Sequence, residues 1–151
     1  MRTIRTETVI DSPPSAVWST LTDLDAYEEW NPHLTSASGE LREGERVTIT
    51  VDQSGRTRTL RPRVTTVDPE RRLQWVGRVG SSWLFEGRHT FDLESLDCGR
   101  TLLVNREELS GLLVGFVTSE DDEATYESMN WALAERVDRE QTTGSSAETT
   151  H

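Results

Sequence analysis

The chain has 151 residues with 16 arginines, no lysine, 27 acidic residues and a formal charge of -11. Such a surface repels nucleic acid and anionic lipid, which are bound by clustered basic side chains that displace counterions. The lone Cys98 excludes an internal disulfide and a thiolate metal cluster, and the longest apolar run, Leu112 to Val117, is far short of the roughly 20 residues of a membrane span. The first residues, Met1-Arg2-Thr3-Ile4-Arg5, contain no apolar signal core, so a cytoplasmic location without membrane insertion is expected. The length fits one domain, which at this size buries about 68–70% of its unfolded surface.

In chain order, residues 3–10 read as a strand. Ser12 is placed to cap a helix with Pro13 in its first turn, and Pro14, Val17, Trp18 and Leu21 form one apolar stripe. Asp23 is expected to cap a second short helix that carries Leu24 and Tyr27 and ends at Trp30-Asn31-Pro32, because a proline disfavours helix in the residue before it. The period then changes to two. A weaker strand lies near 34–41. Val47, Ile49 and Val51 alternate with polar residues up to a Ser54-Gly55 turn. Leu60, Pro62 and Val64 share a face, with Pro62 implying an edge or a bulge, and the basic run Arg56 to Arg63 reads as one solvated strand face.

After an Asp68-Pro69 turn come Leu73, Trp75, Gly77 and Val79, then Trp83, Phe85, Gly87, His89, Phe91 and Leu93, and last Leu103, Asn105, Glu107 and Leu109. That makes about seven strands. A long helix follows, with Ser119 and Asp122 in a capping arrangement and Tyr126, Met129, Asn130, Leu133 and Val137 within one arc of about 100°. The expected organisation is a domain at 1–140 and a disordered tail at 141–151, where Ala147 is the sole apolar residue.

This order of elements resembles the START-like, or SRPBCC, superfamily of helix-grip folds, and within it the polyketide cyclase/dehydrase and lipid-transport branch. The residues that carry the resemblance are Ile10-Asp11-Ser12-Pro13-Pro14-Ser15-Ala16-Val17-Trp18, Tyr27-Glu28-Glu29-Trp30-Asn31-Pro32, and Val67-Asp68-Pro69 before Leu73-Gln74-Trp75. Further along they are Gly87-Arg88-His89-Thr90-Phe91, Glu107-Glu108-Leu109-Ser110-Gly111 and Met129-Asn130-Trp131-Ala132-Leu133. The resemblance implies an α+β fold in which a curved antiparallel sheet wraps around the C-terminal helix over an elongated apolar cavity. One departure is Ala134, where the family often carries Lys or Arg. Separately, acidity with arginine in place of lysine resembles the cytoplasmic proteins of salt-loving archaea. About 1 M salt shrinks the Debye length to roughly 3 Å and relieves such a surface of its self-repulsion.

The inner face of the sheet supplies the candidate site. Asp97-Cys98-Gly99 fits a three-residue hairpin loop, and that register pairs 93 with 103, 91 with 105 and 89 with 107. His89 and Glu107 then become inward cross-strand neighbours with β-carbons about 4.5–5.5 Å apart. Two readings stand: an acid/base pair or polar anchor for a ligand, or a structural ion pair under the helix together with Asn130. The absence of a nearby nucleophile favours the structural reading, and a register slip of one residue would put Glu107 in solvent.

Around this pair, ligand contacts are expected from Trp30, Pro32 and His33 at the mouth and from Trp75, Trp83, Phe85, Phe91, Asn105, Leu109, Tyr126, Met129 and Asn130 in the wall. Trp75 and Trp83 also read as core, Tyr126 and Met129 as core first and ligand contacts second, and Trp30 as a plug against the long helix more commonly than as a gate. His33, His89 and His151 stand at no metal-ligand spacing, so neither metal nor cofactor is expected. The leading function is binding of a hydrophobic or amphipathic small molecule (lipid, isoprenoid or polyketide-like) by a monomer or weak homodimer. The alternatives are a cyclase or dehydratase using Glu107 and His89, and a protein-interaction module resembling the Hsp90 activator domains.

Overall fold

A computed structural model describes every residue except Ser54, Ser81, Ser82, 115–121 and 150–151, and only the backbone of Gln53, Val79, Asp122 and 143–149. The chain opens with strand β1 (Arg2–Ile10), helix α1 (Pro14–Leu21), a 3-10 turn at Leu24–Ala26 and helix α2 (Tyr27–Trp30). Strands β2 (Leu34–Ser38), β3 (Thr48–Gln53), β4 (Arg56–Leu60), β5 (Arg63–Asp68), β6 (Arg72–Val79), β7 (Phe85–Leu96) and β8 (Arg100–Ser110) follow, and helix α3 (Asp122–Thr149) closes the chain.

The strands form two antiparallel sheets, ordered β1-β8-β7-β6-β5 and β2-β3-β4. Among the described residues there are eight strands where about seven are predicted, because the stretch 60–64 is broken. Pro62 has no N–H to give a ladder, and Leu60 ends β4 while Arg63 begins β5. Pro62 is therefore a corner between sheets, not an edge or bulge within a strand. The corner is held by Val47 N–H to the Pro62 carbonyl at 3.0 Å and by Val64 N–H to the Glu45 carbonyl at 2.8 Å.

Local chemistry explains most ends. Helix α1 starts one residue later than a Ser12 cap requires. Pro13 is the N-cap, Pro14 is in the first turn, and the Pro13 carbonyl accepts from Ala16 and Val17. The Ser12 carbonyl instead accepts from the Thr101 hydroxyl at 2.7 Å, in a buried contact. Asp23 precedes the 3-10 turn and makes no side-chain cap. Asn31 is extended before Pro32, as its position predicts. The capping arrangement at Ser119 falls outside the described residues.

The β7–β8 hairpin has the predicted register, with Leu93 opposite Leu103, Phe91 opposite Asn105 and His89 opposite Glu107. Its loop is Asp97–Gly99, where both Cys98 and Gly99 take positive φ. The core lies between the inner face of the larger sheet and the helices. Ile4, Leu73, Phe91 and Leu103 meet Val17, Leu21, Met129, Leu133 and Val137 there. All five residues of the predicted inward arc of α3 are buried. The helix packs on β1 and α1, and the Thr20 hydroxyl donates to Glu140 at 2.6 Å. Its backbone continues to Thr149, through a segment for which composition predicts disorder.

Candidate functional site: a cavity opened by two glycines

On the inner face of the larger sheet, cross-strand pairs carry large side chains as far as Trp75 opposite His89. The next inward pair is Gly77 opposite Gly87. Two side chains are missing where two would otherwise meet. A β-carbon at Gly77 would find only Pro62 Cβ, at 3.8 Å, and one at Gly87 would meet Glu107 Oε1 at 3.0 Å and Leu109 Cδ2 at 3.4 Å. The space left is part of a cavity of about 150 Å³.

The larger sheet lines it with Ile4, Trp75, Gly77, Arg78, Phe85, Gly87, His89, Glu107 and Leu109. The smaller sheet and its corner add His33, Leu34, Ile49, Val51, Arg58, Leu60, Arg61 and Pro62, and α3 adds Tyr126. Arg58, Arg61 and Arg78 are exposed, so the cavity opens on their side. It therefore lies between the two sheets, where the sequence places it between sheet and helix. Lower on α3, Met129, Asn130 and Leu133 are packed into the core and leave no gap.

Of the predicted contacts, His33, Trp75, Phe85, His89, Glu107, Leu109 and Tyr126 stand together on the wall. The others do not. Phe91 is buried deeper on β7 against Trp75 and His89, and Met129 is buried one turn beyond Tyr126. Trp30 is buried edge-on against Tyr27, and its indole N–H has no hydrogen-bond partner among the described residues. Pro32 is exposed and off the wall, so Trp30 and Pro32 do not form the mouth. Trp83 is 63% exposed, neither core nor wall, because β7 begins only at Phe85 and the strand alternation does not reach Trp83.

Asn105 and Asn130 lie behind the wall as the centre of a buried polar network. His89 Nε2 is 2.6 Å from Asn105 Oδ1, Asn105 Nδ2 donates to Asn130 Oδ1 at 2.9 Å, and Asn130 Nδ2 donates to the Thr6 hydroxyl at 2.9 Å. This corrects the expected bond between His89 and Glu107. The two are opposite in register, yet the imidazole goes to Asn105, and Glu107 Oε2 accepts from the Tyr126 hydroxyl. Burial pushes the His89 pKa down to about 4, against an upward pull from Asn105 and with a further downward push from His33. The ring is thus neutral at pH 7. It stacks on Phe91 and Tyr126 with centroids 4.4 and 5.4 Å away.

His33 is held from both sides. The Asn31 side chain accepts from the His33 and Leu34 N–H groups at 3.0 and 2.8 Å, and His33 Nδ1 is 3.0 Å from the Asp52 carbonyl. The mouth arginines are missed by the sequence reading, which takes Arg56 to Arg63 as a solvated face. The two glycines left a signal, since both fall on predicted inward positions. Among the described residues, no three His, Cys, Asp or Glu side chains gather to hold a metal ion, and no helix is long and apolar enough to cross a membrane.

A curved antiparallel sheet gripping a C-terminal helix, with a cavity opening beside it, defines the START-like class. Known structures agree. A START superfamily protein from Mycobacterium smegmatis matches with a TM-score of 0.72 at 17% identity, over 91% of this chain and 97% of that one. A protein from Mesorhizobium loti gives 0.72 at 22% identity, over 91% and 98%. The Zhui aromatase/cyclase from a Streptomyces species gives 0.67 at 20%, over 91% and 94%. No curated protein matches the chain. The profile of the polyketide cyclase / dehydrase and lipid transport family covers residues 1–141, and the chain belongs to that family.

Proposed function

We propose that the domain at 1–140 binds a small hydrophobic or amphipathic molecule in the cavity between its two sheets. The observation that carries this reading is an apolar cavity on which a few polar groups, His33, His89, Glu107 and Tyr126, converge. Its volume, about 150 Å³, is below the roughly 300–1,000 Å³ of drug-sized pockets. It is close to a dry apolar cavity of about 150 Å³ that holds benzene. The enclosed part of the ligand is then a ring system or short chain, not a whole two-chain lipid. The test is titration with N-phenyl-1-naphthylamine, an apolar fluorophore. Gly77→Leu fills the floor from a position with ordinary backbone and free space, and is expected to abolish binding. Undiminished binding by that variant would place the ligand elsewhere.

The enzyme reading rests on one observation, the Tyr126 hydroxyl and the Glu107 carboxyl joined at the wall. A cyclase or dehydratase would use this pair on a carbonyl-bearing substrate, and the likeness to an aromatase/cyclase supports testing it. Turnover lost in Glu107→Gln with probe binding retained would establish it. An interaction module is better served by a filled interior than by this open one. The setting we propose is high salt. With a charge of -11, the melting temperature is expected to rise strongly between low and molar KCl, and a flat response would remove that proposal alone.

A further inference from the structure

The network behind His89 is oriented in one direction, and a backbone carbonyl sets it. The Asn105 carbonyl can only accept, so the Thr6 hydroxyl, 3.2 Å away, gives it its one proton. With that proton committed, the Thr6 oxygen accepts from Asn130 Nδ2 at 2.9 Å. Asn130 Oδ1 must then be the atom facing Asn105, whose Nδ2 donates to it at 2.9 Å. This turns Asn105 Oδ1 toward His89 Nε2 at 2.6 Å, so Nε2 carries the hydrogen. Reversing either amide would set donor against donor or acceptor against acceptor, all at groups that are 5% exposed or less.

A neutral imidazole has one donor and one acceptor nitrogen. Nε2 is the donor, so Nδ1 is a bare lone pair, and it has no partner among the described residues. His89 lines the cavity, and the neighbouring Tyr126 proton is already given to Glu107. Burial keeps the ring uncharged near neutrality.

We propose that His89 Nδ1 is a fixed hydrogen-bond acceptor that selects ligands bearing an O–H or N–H donor at their buried end. This rests on the cavity-binding reading and narrows it. The ligand class is a phenol or alcohol on an apolar frame, preferred over an ether or ketone of the same shape. Such a molecule satisfies the lone pair, whereas an ether or ketone sets a second lone pair against it.

The test compares 2-naphthol, 2-methoxynaphthalene and naphthalene by calorimetry on the full chain. We expect 2-naphthol to bind about tenfold more tightly than its methyl ether, the scale of one neutral hydrogen bond in a dry site. His89→Phe should bring the two within about twofold. Nitrogen-15 spectra of the histidine-labelled wild type should show His89 with Nε2 protonated and Nδ1 bare. Equal affinity for naphthol and its ether overturns the acceptor role and leaves the cavity reading intact. No binding of any of the three overturns both. A protonated Nδ1 overturns the orientation directly, and that measurement decides even where His89→Phe does not fold.

Discussion

The inner face of β7 and β8 has two halves built to opposite rules. Around Phe91, Leu93, Leu103 and Asn105 every position is filled, each of these residues is 6% exposed or less, and the polar atoms are joined into a network. Around Phe85, Gly87, Glu107 and Leu109 the side chains stand round a space. One strand pair supplies both halves in an unbroken register. The difference is therefore made by side chains alone, chiefly by Gly77 opposite Gly87. His89 belongs to both halves, with one nitrogen in the network and its ring on the wall. A cavity placed this way inherits the rigidity of the packed half, which is what a specific binding site needs.

The largest effect should come from breaking the filled half. Phe91 is 2% exposed and packs against Trp75 and His89. Phe91→Ala is expected to cost about 3–5 kcal/mol in urea unfolding, through lost transfer energy and a new void. Phe85→Ala removes the same ring from the open half, where the side chain is only half-buried and borders space on one side. It should cost about 1 kcal/mol, because a side chain facing a void has fewer contacts to lose. Equal costs would dissolve the distinction between the halves.

Acid should act next, through the residue the halves share. The His89 pKa falls from 6.5 to about 4 on folding, mainly by burial. Between those values the unfolded chain binds more protons than the folded one, so stability rises with pH across that window. As pH drops from 6.5 toward 4 this residue alone withdraws about 3 kcal/mol. The difference in unfolding free energy between wild type and His89→Gln, followed over that range, isolates its share. A difference that stays constant with pH would mean the ring is not buried neutral.

Much of this was legible beforehand, for local reasons. The length of the Asp97–Gly99 loop and the alternation on either side set the hairpin register to the residue, and the spacing from Tyr126 to Val137 marked the buried face of α3. Register, however, does not choose hydrogen-bond partners. Glu107 is directly opposite His89, yet the imidazole reaches the diagonal Asn105, a distance polar side chains can span. The mouth was hidden for a different reason. Arg58 and Arg61 are exposed members of a basic run that reads as a solvated strand face, and only the folding of the smaller sheet against the larger one brings them to the cavity. Trp83 misled because an aromatic in phase with a strand looks inward, while the strand itself stops two residues short of it.

The smallest expected change in stability separates the halves most sharply, because it adds an atom instead of removing one. Gly77 does not have positive φ, and a methyl there would meet only Pro62 Cβ at 3.8 Å. Gly77→Ala should therefore stabilise the protein by about 0.4–1 kcal/mol, since alanine leaves the unfolded chain less freedom to lose. The methyl occupies the cavity floor, so affinity for 2-naphthol should fall as stability rises, the opposed movement expected where a site is kept open at the expense of packing. Gly87→Ala is the control on the facing strand. Its methyl would press Glu107 Oε1 at 3.0 Å and disturb the contact with Tyr126, offsetting the backbone gain. Its stability should stay near the wild-type value while binding again weakens. If Gly77→Ala gains stability with affinity unchanged, the paired glycines are an accident of strand packing and the floor of the site lies elsewhere.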